Sequence, residues 1–195
     1  VLAFRIASYV GTMSIRTSPD NGDREPSGPK SSAPGADRLH ILGADHTGIT
    51  VSNLERSLAF WRDVLGFEFS HTAHQKGELA AEITGVEGAE IKLAVLKAAG
   101  GHKIELLEYL APLDRKRGNL RPCDVAFVHI ALLVDDLEAM LNKISASGWK
   151  AAGNPQILTK GPNAGKRVVY VRDPDGITIE LMQVAKRSSS TDVAD

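Results

Sequence analysis

Cysteine is nearly missing from this 195-residue chain, which carries only Cys123. A single thiol excludes an internal disulfide framework and a thiolate-built metal site, and it fits a reducing compartment, so a cytoplasmic protein is expected. Charge of one sign is missing too. With 23 basic and 24 acidic residues the formal net charge is -1, and no broad field steers the protein toward nucleic acid or an anionic membrane. Neither is expected as a partner, and a small-molecule substrate becomes the default. The mildly apolar stretch 1–13 is interrupted by Arg5 and does not read as a signal peptide. Residues 14–37 are rich in Ser, Pro, Gly and charge and poor in large apolar side chains, so residues 1–40 read as a flexible N-terminal tail, with a second flexible tail at 186–195.

What is present is 43% hydrophobic residues, enough to bury a core in one domain or two small similar halves. Two halves are indicated by an internal repeat. His46 to Glu55 reads HTGITVSNLE and His129 to Glu138 reads HIALLVDDLE, an offset of 83 positions. Each reads as a strand entering a helix. In the first, Leu54, Leu58, Trp61 and Leu65 fall at helical spacing before Gly66; in the second, Leu137, Met140, Leu141 and Ile144 do so before Gly148. Alternating segments follow at 90–96, 103–109, 150–152, 167–172 and 177–184, bounded by Gly, Pro and Asn, as antiparallel strands require. Residues 71–85 are not among the segments read as helix or strand.

The expected organisation is therefore α+β, a βαβββ pattern repeated over 41–112 and 124–185 within one domain, 41–185. Neither half is large enough to close a core alone, so the two are expected to pack together and form a concavity.

The last strands of the halves also match. The run KIELL around Glu105 recurs as TIELM around Glu180, an offset of 75. Side chains alternate faces along a strand, so His46 shares a row with Gly48 and Thr50, and Glu105 and Glu180 point away from the apolar rows of Ile104, Leu106, Ile179 and Leu181. Taken singly, each residue reads as a histidine bonded to backbone or a glutamate on a solvated face. Recurrence of both kinds in register favours a joint role, binding one divalent cation per site with His46, Glu105, His129 and Glu180. A mixed nitrogen and oxygen donor set suits Ni, Co, Mn, Fe or Zn and does not choose among them.

The HxxxxV strands at His46 and His129, the run FWRDVLGF ending at Phe67, and VRDPDGITIEL around Glu180 resemble the vicinal oxygen chelate superfamily. That superfamily contains glyoxalase I, methylmalonyl-CoA epimerase, fosfomycin-resistance proteins, bleomycin-binding proteins and extradiol dioxygenases. The resemblance covers 46–184. It implies paired βαβββ modules enclosing a metal-binding cleft, with ligands from the first and last strands of each module at His46, Glu105, His129 and Glu180, and a homodimer is expected. The implied activity is that of a lactoylglutathione lyase-like lyase or isomerase, in which the metal polarises the carbonyl of a small carbonyl compound or thioester and a carboxylate removes a neighbouring proton.

Within the superfamily, two histidines with two carboxylates resemble the glyoxalase and epimerase branches rather than the dioxygenases. Glyoxalase I of the bacterial type places an Arg four residues after its first His and an Asn four after its first Glu, where this chain has Thr50 and Tyr109. Methylmalonyl-CoA epimerases carry a catalytic Glu before the third strand, near Glu87. Glu180 and Glu87 are thus the candidate proton carriers. Racemisation of the epimerase type, ring cleavage by a dioxygenase, and metal-free drug or metabolite binding stand as alternatives. Arg115, Lys116 and Arg117 could grip phosphates or carboxylates of a substrate, although a short charge run is usually solvated.

Overall fold

The computed structural model describes residues 40–118 and 120–184. The two expected tails lie almost wholly outside them. The chain divides between Ile41 and Leu42, and the architecture below is that of the second unit.

Its first module runs β1 (His46–Thr50), α1 (Leu54–Ala59), a π turn (Phe60–Val64), β2 (Glu68–Lys76), α2 (Glu78–Thr84), β3 (Glu90–Lys97) and β4 (Lys103–Ala111). The second runs β5 (Ile130–Val134), α3 (Leu137–Ser145), β6 (Lys150–Ala151), β7 (Gln156–Ile157), β8 (Arg167–Arg172) and β9 (Thr178–Gln183). One sheet has the order β1-β4-β3-β2 and the other β5-β9-β8-β6, with β7 also on β8. In both, the first strand pairs parallel with the last and the remaining pairs are antiparallel. The fold is α+β with the expected repeat, except that the first module gains α2 over the unassigned segment.

Repeat-related side chains start the two helices. The Asn53 carboxamide oxygen accepts the Arg56 N–H at 2.8 Å, and the Asp136 carboxylate accepts the Ala139 N–H at 3.0 Å. From the last strands, Glu108 accepts the Leu54 N–H at 2.9 Å and Gln183 the Leu137 N–H at 3.3 Å. Each module therefore satisfies helix donors that have no partner inside the helix.

Both modules fill one core. Leu58, Trp61, Leu96, Ile104 and Leu106 from the first meet Leu137, Ile144, Val171, Ile179 and Leu181 from the second. The helix expected as far as Leu65 widens after Ala59, with the Leu65 N–H bonding the Phe60 carbonyl at 3.0 Å. Consecutive rings Phe60 and Trp61 are both buried there. Phe60 stacks on Trp149 of the second module, with centroids 3.8 Å apart and planes 10° apart.

The turn between β8 and β9 closes on Asp173, whose carboxylate accepts the N–H groups of Asp175 at 2.8 Å and Ile177 at 2.7 Å. Burial pushes this carboxyl up to about 6, against the pull of those two bonds. An acid with a folded value above its unfolded one is protonated more readily in the native state. Its contribution is greatest below the unfolded value of 3.8 and is lost as pH rises through about 6, a change of about 3 kcal/mol.

Two outcomes follow. Trp149→Ala, which removes the stacked partner, is expected to cost about 3–5 kcal/mol in urea unfolding; a loss below about 1 kcal/mol would show that the modules do not depend on this contact. Asp173→Asn is expected to flatten the fall in stability between pH 4 and 6 on the order of the figure above. Parallel pH profiles of the two proteins would assign that fall to another group.

Candidate metal centre

The parallel pairing in each sheet builds the same two-residue unit twice. Glu105 lies opposite Gly48, two residues beyond His46, and Glu180 lies opposite Ala131, two residues beyond His129. Each histidine therefore shares a row with its carboxylate. His46 Nε2 is 3.3 Å from Glu105 Oε2, and His129 Nε2 is 3.3 Å from Glu180 Oε2. The carboxylates are the more sheltered partners, at 22% and 18% side-chain exposure against 42% and 36% for the imidazoles. Solvent and ligand can reach both units.

The surroundings of the two units differ. His46 Nδ1 is 2.8 Å from Asp45 Oδ1, and Asp45 also takes the Lys103 ammonium at 2.7 Å. The Lys103 hydrogen bond, followed by that to His46, holds the Asp45 carboxyl below its ordinary value. A carboxylate on Nδ1 fixes the ring orientation and turns Nε2 outward, as histidine ligands of metals require. Val128 occupies the place of Asp45 in the second repeat. There the imidazole is flanked instead by Tyr170, with ring centroids 5.0 Å apart, and by Phe127 at 6.4 Å. Tyr170 is the cross-strand partner of Glu180. Burial, then the charge of Glu180, raises its phenol above the ordinary value, so it stays a proton donor at neutral pH. Val95 holds the matching place opposite Glu105.

The four candidate ligands do not converge within the chain. Among the described residues no group of three or more His, Cys, Asp or Glu side chains is poised around one point, and the four expected ligands stand as two separate pairs. The reason is topological. Every strand ladder runs within a module, and the modules are joined through the apolar faces, the opposite side of the sheets from Glu105 and Glu180.

Nitrogen and carboxylate oxygen donors in two matched pairs fit a borderline divalent cation, but each pair alone offers half of a four-donor set. Glu87 stands exposed in the turn between α2 and β3, outside both pairs. His74 is paired with Glu90, His102 with Thr47 and His71 with Ser70.

A cavity of about 350 Å³ opens beside His129, lined chiefly by Thr47, Gly48, Thr50, Phe127, Ile130 and Ile177. It is mostly apolar and of a size for a small organic molecule. Tyr170 is the neighbour that sequence reading passed over. The alternation of the run VVYV, which ends at Val171, carries the signal, because it puts Tyr170 on the same row as its partner Glu180. Among the described residues no helix is long and apolar enough to cross a membrane.

Comparison with known proteins identifies the family of the described region. Residues 43–181 match the family model of the glyoxalase/bleomycin resistance protein/dioxygenase superfamily. A 2-epi-5-epi-valiolone epimerase from Actinomyces sp. is 32% identical over 155 residues, covering 77% of this chain and 81% of the relative. A probable lactoylglutathione lyase from Synechocystis sp. is 31% identical over 146 residues, covering 73% and 95%. Among solved structures, a glyoxalase family protein from Bacillus cereus superposes with a TM-score of 0.66 at 22% identity, covering 76% and 98%, a likeness of fold. The chain belongs to the glyoxalase/bleomycin resistance protein/dioxygenase superfamily.

Proposed function

We propose that this protein is a divalent-metal-dependent lyase or isomerase that removes a proton from carbon next to the carbonyl of a small substrate. The observation that carries the reading is the repetition of one histidine–glutamate unit, at the same 3.3 Å, in both modules. One such unit is a commonplace surface contact. Two at repeat-related positions, each on the row facing away from the core, supply a complete donor set once they are brought together.

The units meet between two copies of the chain. His46 and Glu105 of one protomer face His129 and Glu180 of its partner, and a two-fold axis generates two equal sites. When bound there, a divalent cation supplies Lewis acidity to the substrate carbonyl. His46, oriented by Asp45, and His129 hold the cation. Glu180, paired with His129 at the edge of the apolar cavity, takes the proton, and Tyr170, its cross-strand partner, stays protonated beside it. Removing a proton and returning it elsewhere gives a lyase or isomerase of the lactoylglutathione type; returning it to the opposite face of the same carbon gives an epimerase. The relatives named for both outcomes support the shared step.

Two experiments test this. His46→Ala and His129→Ala are each expected to lose metal and turnover while retaining the fold. Co-refolded in equal amounts, they are expected to regain about a quarter of the sites, because half of a random mixture is heterodimer with one intact centre of two. Recovery of nothing would place all four ligands in one chain, and full metal in either variant alone would remove the assignment. Glu180→Gln is expected to slow exchange of the substrate's carbon-bound proton with solvent deuterium by about 10²–10⁴-fold while keeping more metal than His129→Ala does. Glu87→Gln is the comparison, and a loss of exchange there instead would move the base to the α2–β3 turn.

A further inference from the structure

A cavity of about 280 Å³ opens where α1 and the π turn meet the connection between α3 and β6 and the turn after β8. Ser57, Phe60, Val64, Trp149 and Asp173 are among its walls, and it shares no lining residue with the cavity beside His129. Its size suits a compact molecule rather than an elongated one.

Two polar side chains in this lining are more than nine-tenths buried, Ser57 at 4% exposure and Asp173 at 8%. A serine inside a helix points its hydroxyl at solvent or back at the carbonyl four residues earlier. The Ser57 hydroxyl does neither, being buried and without a hydrogen-bond partner among the described residues. Asp173 is half satisfied. Both N–H groups of its turn go to Oδ1, and among the described residues no donor reaches Oδ2. Folded proteins keep buried polar groups paired, so two acceptors left open on one cavity point to a donor that enters from outside the chain.

The charge of the lining selects that donor. Arg56 is committed to Asp175, with Nη2 at 2.6 Å from Oδ2, and Asp63 takes Arg62 through Nε at 2.6 Å and Nη2 at 2.9 Å. Asp173 is the charge left over. At neutral pH it is ionised, above the value of about 6 to which burial raises it. A cationic donor matches this carboxylate, whereas an anion would meet a buried like charge. Phe60, Val64 and Trp149 supply apolar surface for a short hydrocarbon body beside the cation.

We infer that this cavity binds a primary alkylammonium group, whose N–H donors satisfy Asp173 Oδ2 and the Ser57 hydroxyl while its hydrocarbon lies against Phe60, Val64 and Trp149. The site is independent of the metal chemistry proposed above. A free amine and the lysine side chain of a peptide share this chemistry, and separate probes distinguish them.

The full chain, isotopically labelled, is titrated with n-butylammonium chloride at neutral pH and constant ionic strength while its amide and indole resonances are followed by NMR. Saturable shifts are expected at Ser57, Trp149 and Asp173 and not at His46 or His129. Asp173→Asn keeps an oxygen for the two turn N–H groups but offers a donor in place of Oδ2, and it should weaken binding tenfold or more. Ser147→Phe alters an exposed residue of the same lining, so it should block the cavity without disturbing the core, and it decides the matter if Asp173→Asn fails to fold. The uncharged counterpart n-butanol should bind at least tenfold more weakly. Binding of acetyl-lysine methylamide as well would identify a site open to lysine side chains, and binding of butylammonium alone a site for a free amine. Shifts that do not saturate or that lie elsewhere, unchanged affinity in either folded variant, or n-butanol binding as tightly as butylammonium overturns the inference.

Discussion

The constraint on which the rest of this structure depends is that two half-sized modules share one apolar core. Trp61, Trp149, Leu106 and Leu181 are all buried in one cluster to which both modules contribute. Strand alternation then fixes everything on the other face. Once Ile104 and Leu106 are committed to the core, Glu105 has to leave it, and the same holds for Glu180 between Ile179 and Leu181. The candidate ligands face outward as a by-product of the pattern that closes the core.

That coupling explains which features could be read from the sequence. The strands β4 and β8 were legible because each has a buried and a less buried row, β3 and β9 because they are largely apolar runs bounded by turn residues, and α3 because its buried positions recur at helical spacing. The strand β2 was not legible, since all nine of its residues are exposed and no alternation is written into a strand with no buried face. The helix α2 is hidden for the same reason: Ala80 is its only buried residue, while Leu79 and Ile83 face solvent. The π turn at Phe60 is masked because Leu54, Leu58, Trp61 and Leu65 suit an ordinary helix equally well.

The candidate site was legible only as far as one module reaches. The pairings of His46 with Glu105 and of His129 with Glu180 follow from parity within a sheet. How the two pairs would be brought together does not, because among the described residues no strand ladder crosses from one sheet to the other, and periodicity carries information only along a ladder. Tyr170 was missed on different grounds. Repeat logic directs attention to what the halves share, whereas Tyr170 and Val95 occupy matching places with different chemistry.

Those departures from symmetry bear on how labour is divided between the two units. The Asp45 carboxylate and the Lys103 ammonium surround His46, so the first unit is built to fix an imidazole and keep its Nε2 facing outward. The second unit has Val128 in place of Asp45 and a phenol beside its carboxylate, next to an apolar cavity. Under the proposed function, the carboxylate with a neutral O–H donor close by is the one placed to exchange a proton with a carbon acid. Holding a cation asks for two equivalent units, whereas directed proton transfer asks that they differ. The sequence keeps the two His–Glu pairs in register and varies what surrounds them, so the asymmetry that the proposed proton transfer asks for arises without disturbing the parity that serves the core.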